Sequence, residues 1–171
     1  MRRHGGPAGI ALTRQNVPTF PRGEGEASGD EFASADLAAK GAYVLADSPT
    51  GAVDVILIGT GSEVQLAVAA REQLAEQGIG ARVVSAPSLE WFAEQDDAYR
   101  ESVLPASVKA RVSVEAGLAM PWRGIVGDAG RSVSIEHFGA SADYKTLFQK
   151  FGITTEAVVT AAHETIAAAG A

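Results

Sequence analysis

Cysteine is absent from the 171-residue sequence. Disulfides, thiolate nucleophiles and cysteine metal sites are therefore excluded. Histidine is scarce, and the three present, His4, His137 and His163, are too scattered to suggest a histidine-based metal site. No apolar run approaches the roughly 20 residues needed to span a bilayer, so a membrane is not expected as a partner. Positive charge is also in short supply. Fourteen Lys and Arg stand against 21 Asp and Glu, a net charge of −7, whereas a nucleic-acid partner calls for clustered cations. The basic start, Arg2, Arg3 and His4, is too short to overturn this. It does not continue into the apolar stretch of an export leader, and the expected location is cytoplasmic. There is no internal repeat.

What remains is a globular composition, with 46% hydrophobic and 20% charged residues. The length suits one domain and an extra segment. Ile10, Ala11, Leu12 and Thr13 suit a short strand, which Pro18 and Pro21 close off. Residues 22–39, rich in Gly, Ser, Ala and acid, read as a linker with one helical turn near Asp36. The first strand thus stands ahead of the main domain and needs a sheet to join. From Gly41 onward strands and helices alternate. Strands are expected at 43–46, 53–59, 81–85, 110–115 and 132–136. The apolar run at 53–59 marks a strand covered on both faces. Helices are expected at 62–77, in one or two pieces within 89–103, from a Ser141 cap to Lys150, and from a Thr154 cap to Ala168. Gly78 suits a left-handed cap and Pro105 ends the helical region before it. This alternation predicts an α/β fold with three αβα layers around a mostly parallel, Rossmann-like sheet.

The stretch "DVILIGTGSEVQLA" has the strand, glycine turn and helix of a phosphate-binding fold. A dinucleotide fingerprint requires a third glycine where Val64 stands, and an acid where the next strand ends in Ser85 and Ala86. A P-loop requires a lysine that is missing. Gly59 and Gly61 are therefore read as supplying a tight turn, with Ser62 capping the helix. An anion- or nucleotide-binding regulatory module built on the Gly59–Ser62 turn stays as the alternative, because helix starts attract anions. Glu115, Glu136 and His137 fall at the strand ends where ligands of open α/β sheets sit, and acid–base work is weighed there against plain hydrogen bonding at an interface. His137, Ser141 and Asp143 share a segment, but no Gly-x-Ser-x-Gly elbow accompanies them. Trp91, Phe92, Tyr99 and Trp122 are read as packing residues, and His163 as surface. Arg14, trailed by Gln15 and Asn16, offers a planar fork for phosphate or carboxylate oxygens; a simple salt bridge is the competing reading.

Five stretches carry a resemblance. "LTRQN" (Leu12–Asn16), "DVILIGTGSEVQLA", "EWFAEQDDAYRESVLP", "VEAG" and "FGASADYKTLFQKFG" stand in the same order as in transketolase, and together they cover nearly the whole chain. More distant relatives such as deoxyxylulose-phosphate synthase and pyruvate dehydrogenase are not expected to combine "RQN" with "YRESVLP". The resemblance implies a remnant of the pyrimidine-binding domain at 1–21, a linker at 22–39 and the transketolase C-terminal domain at 40–171. It implies an enzyme that moves two-carbon ketol units between phosphorylated sugars, with thiamine diphosphate and Mg2+ as cofactors of the full-length homodimer. The cofactor supplies the carbanion chemistry and the protein supplies positioning. The arginine of "RQN" maps onto Arg14 and implies a substrate-phosphate contact. No other position matches a catalytic, cofactor or metal motif of the family, and no "GDG…N" metal motif is present. Those parts are expected in N-terminal domains ahead of Met1, which would leave this segment inactive alone, with a structural and dimer role. Pro121 in "AMPWRGIVG" departs from the family pattern.

Overall fold

The computed structural model describes residues 9–21 and 32–170. Arg2, Arg3 and His4, and the first part of the expected linker, lie outside the described residues. A five-stranded sheet forms the middle layer. Its strands are β1 (Tyr43–Ala46), β2 (Val55–Gly59), β3 (Ala81–Ser85), β4 (Arg111–Val114) and β5 (Arg131–Val133), in the order β1-β3-β2-β4-β5. All neighbours are parallel except β1, which pairs antiparallel with β3 at the edge.

The apolar run of β2 explains the layering. Val55 and Leu57 point to one face and Ile56 and Ile58 to the other, as strand geometry requires. On the first face they meet Val68 and Leu74 of α1 (Val64–Glu76) and Val158 and Ala162 of α6 (Thr155–Ala169). On the second they meet Phe92 of α2 (Leu89–Ala93), Val103 of α3 (Asp97–Val103) and Val126 of α4 (Arg123–Val126). Every residue of β2 is buried. Removing a Val, Leu or Ile side chain from water in this way is worth roughly 1.5–3 kcal/mol. The expected three-layer fold is thus the one observed. Trp91 is half-buried, Phe92 and Trp122 are buried, and the Tyr99 ring meets Phe92 edge-on while its hydroxyl donates to the Ala42 carbonyl at 3.0 Å. These aromatics pack as expected.

Several local readings need correction. Ile10–Thr13 forms no strand; Ile10 and Leu12 stand exposed on an irregular stretch. The last strand stops at Val133, three residues earlier than the pattern predicts. Beyond it Ile135 N–H donates to Gly117 O, and the chain turns onto the loop after β4. Ser62 does not cap α1. A 3-10 turn over Gly61–Glu63 precedes the helix and draws Ser62 into helical geometry, where its hydroxyl bonds to Glu63. Asp143, not Ser141, caps α5 (Tyr144–Phe151), accepting from Thr146 N and Thr146 Oγ1. Thr154 caps α6 as expected, accepting from Ala157 N at 3.2 Å. Gly78 has the left-handed φ of +78° just past α1. Pro121 sits in the first turn of a 3-10 helix at Met120–Trp122, where its missing N–H is not needed. The helical turn near Asp36 is a 3-10 helix at Ala35–Lys40. Residues 32–40, within and just after the expected linker, pack on the sheet layer, with Phe32 and Ser34 buried.

Candidate functional site

The connection from β2 runs to β3 on one side, and the connection from β3 returns past β2 to β4. The order reverses between β2 and β4, and the crevice beyond their carboxyl ends is where open α/β sheets bind ligands. Here that crevice lies between the glycine turn and the loop after β4. Gly59 is forced by packing: a Cβ there would meet Val64 Cα at 2.9 Å. Gly61 takes a φ of +54°, which favours glycine.

Glu63 fills the crevice. It is buried, receives the Ser62 hydroxyl, and accepts the Ala116 N–H at 3.3 Å from the opposite side. Its carboxyl therefore ties the β2–α1 turn to the end of β4. Burial raises its pKa above the ordinary 4.5, and the nearby charge of Glu115 pushes the same way, against the lowering effect of its two hydrogen bonds. An incoming phosphate would meet this carboxyl group with Glu115 close by, which disfavours an anion at the turn. The sequence reading missed Glu63. Its only signal was an acid placed directly ahead of a helix whose following residues are mostly buried.

The other candidates are each engaged separately. Glu115 Oε2 accepts from Trp122 Nε1 at 2.7 Å and pins that buried ring. Glu136 Oε1 accepts from Ala119 N at 2.8 Å and from Ser134 Oγ at 2.9 Å. These two bonds hold its pKa below 4.5, the Ala119 bond having the larger effect, so it stays a carboxylate. His137 Nδ1 lies 2.8 Å from the Phe138 carbonyl oxygen and so carries the proton; its ring meets Phe151 edge-on at 4.7 Å. Asp143 is committed to capping, and the Thr146 hydroxyl lowers its pKa most. Ser141 is exposed. Each residue of the apparent triad therefore has a local structural setting, and no hydrogen bond joins the three among the described residues. His163 lies on the surface, as expected. Arg14 is exposed on the 9–21 stretch, beside Gln15, whose side chain accepts from Thr13 Oγ1. Among the described residues no group of three or more His, Cys, Asp or Glu converges to hold a metal ion.

Residues 41–154 match the family described as "Transketolase-like TK C-terminal domain". The chain is 52% identical to the transketolase of Mycobacterium leprae over 164 residues, covering 94% of this chain and 22% of that protein. It is also 52% identical to the transketolase of Mycobacterium tuberculosis strain H37Rv, covering 96% and 23%. Among solved structures, the transketolase from Leishmania mexicana superposes with a TM-score of 0.71 at 39% identity, over 77% of this chain and 19% of that one. A Pichia stipitis transketolase in complex with sedoheptulose 7-phosphate gives a TM-score of 0.69 at 36% identity, over 80% and 19%. The chain thus spans about a fifth of the length of the relatives it matches. With the αβα layers described above and a family match running through most of them, this chain belongs to the transketolase-like C-terminal domain family.

Proposed function

We propose that this chain is the C-terminal portion of a cytoplasmic transketolase, which transfers two-carbon ketol units between phosphorylated ketoses and aldoses. The observation that carries this reading is the 52% identity sustained over 94% of the chain. The domain plan is a remnant of the pyrimidine-binding domain at 1–21, a linker at 22–39 and the C-terminal domain at 40–171. The segment has a structural role in a homodimeric enzyme. It contributes one side chain to substrate, Arg14, whose guanidinium pairs with the sugar phosphate. Phosphosugar substrates are supported by the sedoheptulose 7-phosphate complex of the Pichia stipitis relative.

When bound, thiamine diphosphate supplies the carbanion chemistry of such an enzyme. The described residues of this chain do not fit it. They gather no metal-binding cluster, and the glycine turn presents the buried Glu63 carboxyl where a diphosphate needs donors. We therefore assign thiamine diphosphate and Mg2+ to the remainder of a longer polypeptide, and the segment alone is expected to be inactive.

The test compares two proteins: the isolated chain, and a chimera in which it replaces the matching part of the Mycobacterium leprae transketolase. The chimera is expected to turn over xylulose 5-phosphate with ribose 5-phosphate, and the isolated chain is expected not to. Turnover by the isolated chain, or a folded chimera with no activity, rejects the reading.

A further inference from the structure

Three carboxyl groups hold the loop that follows β4. The Ala116 N–H donates to Glu63 Oε2 at 3.3 Å, the Ala119 N–H to Glu136 Oε1 at 2.8 Å, and Trp122 Nε1 to Glu115 Oε2 at 2.7 Å. Their settings differ. Glu136 is exposed, Glu115 is half-buried, and Glu63 is buried at 6% exposure. A carboxylate in water stays charged at no cost, whereas a buried one needs donors or a cation to offset the loss of water. Around Glu63 there are donors but no cation. From its own turn it faces the Ser62 hydroxyl, and from the loop after β4 it faces the Ala116 amide and the Glu115 carboxyl. On α1, Gln65 donates to the Ser62 carbonyl and Arg71 to the Asp47 carbonyl. Beyond β5, the His137 ring is bonded to the Phe138 carbonyl, and the charge of Arg123 acts on Glu136. Among the described residues the one charge that acts on Glu63 is that of Glu115, and it has the same sign.

We propose that Glu63 is a proton-operated latch on the crevice: protonated, it holds the β2–α1 turn against the loop after β4, and on losing its proton it frees the turn and lets water in. The direction follows from linkage. In the closed form burial, and after it the charge of Glu115, raises the Glu63 pKa above 4.5 and outweighs the two hydrogen bonds it accepts. Once the turn opens to water the group returns to its ordinary value. The closed form therefore loses ground to the open one as pH rises above 4.5. The loop after β4 stays in place. Ile135 N–H still donates to Gly117 O, and Glu136, held below 4.5 by its own bonds, is a carboxylate throughout that range and keeps the Ala119 N–H. The moving part is thus the turn at Gly61–Glu63. The latch belongs to this chain by itself and does not depend on the functional reading above.

The experiment follows amide exchange by NMR in the chain from pH 4.5 to neutrality, with rates corrected for base catalysis of the unprotected amide. Protection of the Ala116 amide is expected to fall about ten-fold over that range, while the Ala119 amide, bonded to Glu136, holds its protection. Glu63→Gln keeps an acceptor for Ala116 but cannot ionise, so its Ala116 protection is expected to be flat. Glu115→Gln removes the like charge and leaves an oxygen for the Trp122 ring. In that variant the fall is expected to be smaller and to be complete at a lower pH. Constant Ala116 protection in the parent overturns the proposal, as does an equal fall in Glu63→Gln. A fall that Ala119 shares is a loosening of the whole loop and overturns it too. If Glu63→Gln does not fold, Glu115→Gln decides the matter, and a fall unchanged from the parent's rejects the latch.

Discussion

Glu63 and, on the proposed function, Arg14 are the two residues of most consequence in this chain, and they act in opposite ways. Glu63 is inward and structural. Its folded pKa is raised, chiefly by burial, so the folded state binds its proton more tightly than the unfolded chain does. The stabilisation from this group is full below the ordinary glutamate pKa and is lost as pH rises through the folded value. Glu63→Gln keeps an oxygen for the Ala116 N–H and removes the titration. The Tm of the variant minus that of the parent is therefore expected to grow as pH rises from 4.5 towards neutrality. A difference that stays constant across that range would show that burial of the charge costs nothing. Arg14 is outward and, on the proposed function, meets substrate. In the chimera Arg14→Ala removes a charge-assisted contact of about 1.5–3 kcal/mol, which corresponds to roughly 10- to 100-fold weaker use of phosphosugars. Steady-state kinetics with an unchanged Michaelis constant for phosphorylated substrates would remove the role. The glycines around Glu63 were legible as a turn. The carboxyl that fills the crevice was not, because its partner at Ala116 is 53 positions away in sequence.

At the scale of elements, the fully buried strand β2 and helices α1 and α6 could be read from apolar periodicity, since their patterns are long enough to fix a period. Helix starts were legible only where one residue had the right chemistry and nothing competed. Thr154 had no rival and caps α6. Before α5 two cap-forming residues stand close together, and Asp143 takes the position ahead of Ser141 because its carboxylate reaches both the amide and the hydroxyl of Thr146. Thr154→Ala is therefore expected to destabilise the isolated chain by about 1 kcal/mol, and Ser141→Ala is expected to change nothing measurable. Denaturant titration of both variants checks this, and equal losses would contradict the assigned caps. The end of β5 was misread for a different reason. "SVSIE" alternates like a strand throughout, but the pairing of Ile135 with Gly117 depends on the loop after β4, which a local pattern does not contain.

For the molecule as a whole, the alternation of elements predicted the layer plan. What the alternation lacked was any statement about the strand order, which places β2 beside β4 and so creates the crevice that Glu63 occupies. Near the end of the 9–21 stretch Phe20 packs on this body, its ring stacked on Phe32 with centroids 4.8 Å apart. That clasp fixes where Phe20 sits against the domain. On the proposed function, the reach of Arg14 towards a sugar phosphate is therefore measured from this clasp, six positions further along the chain.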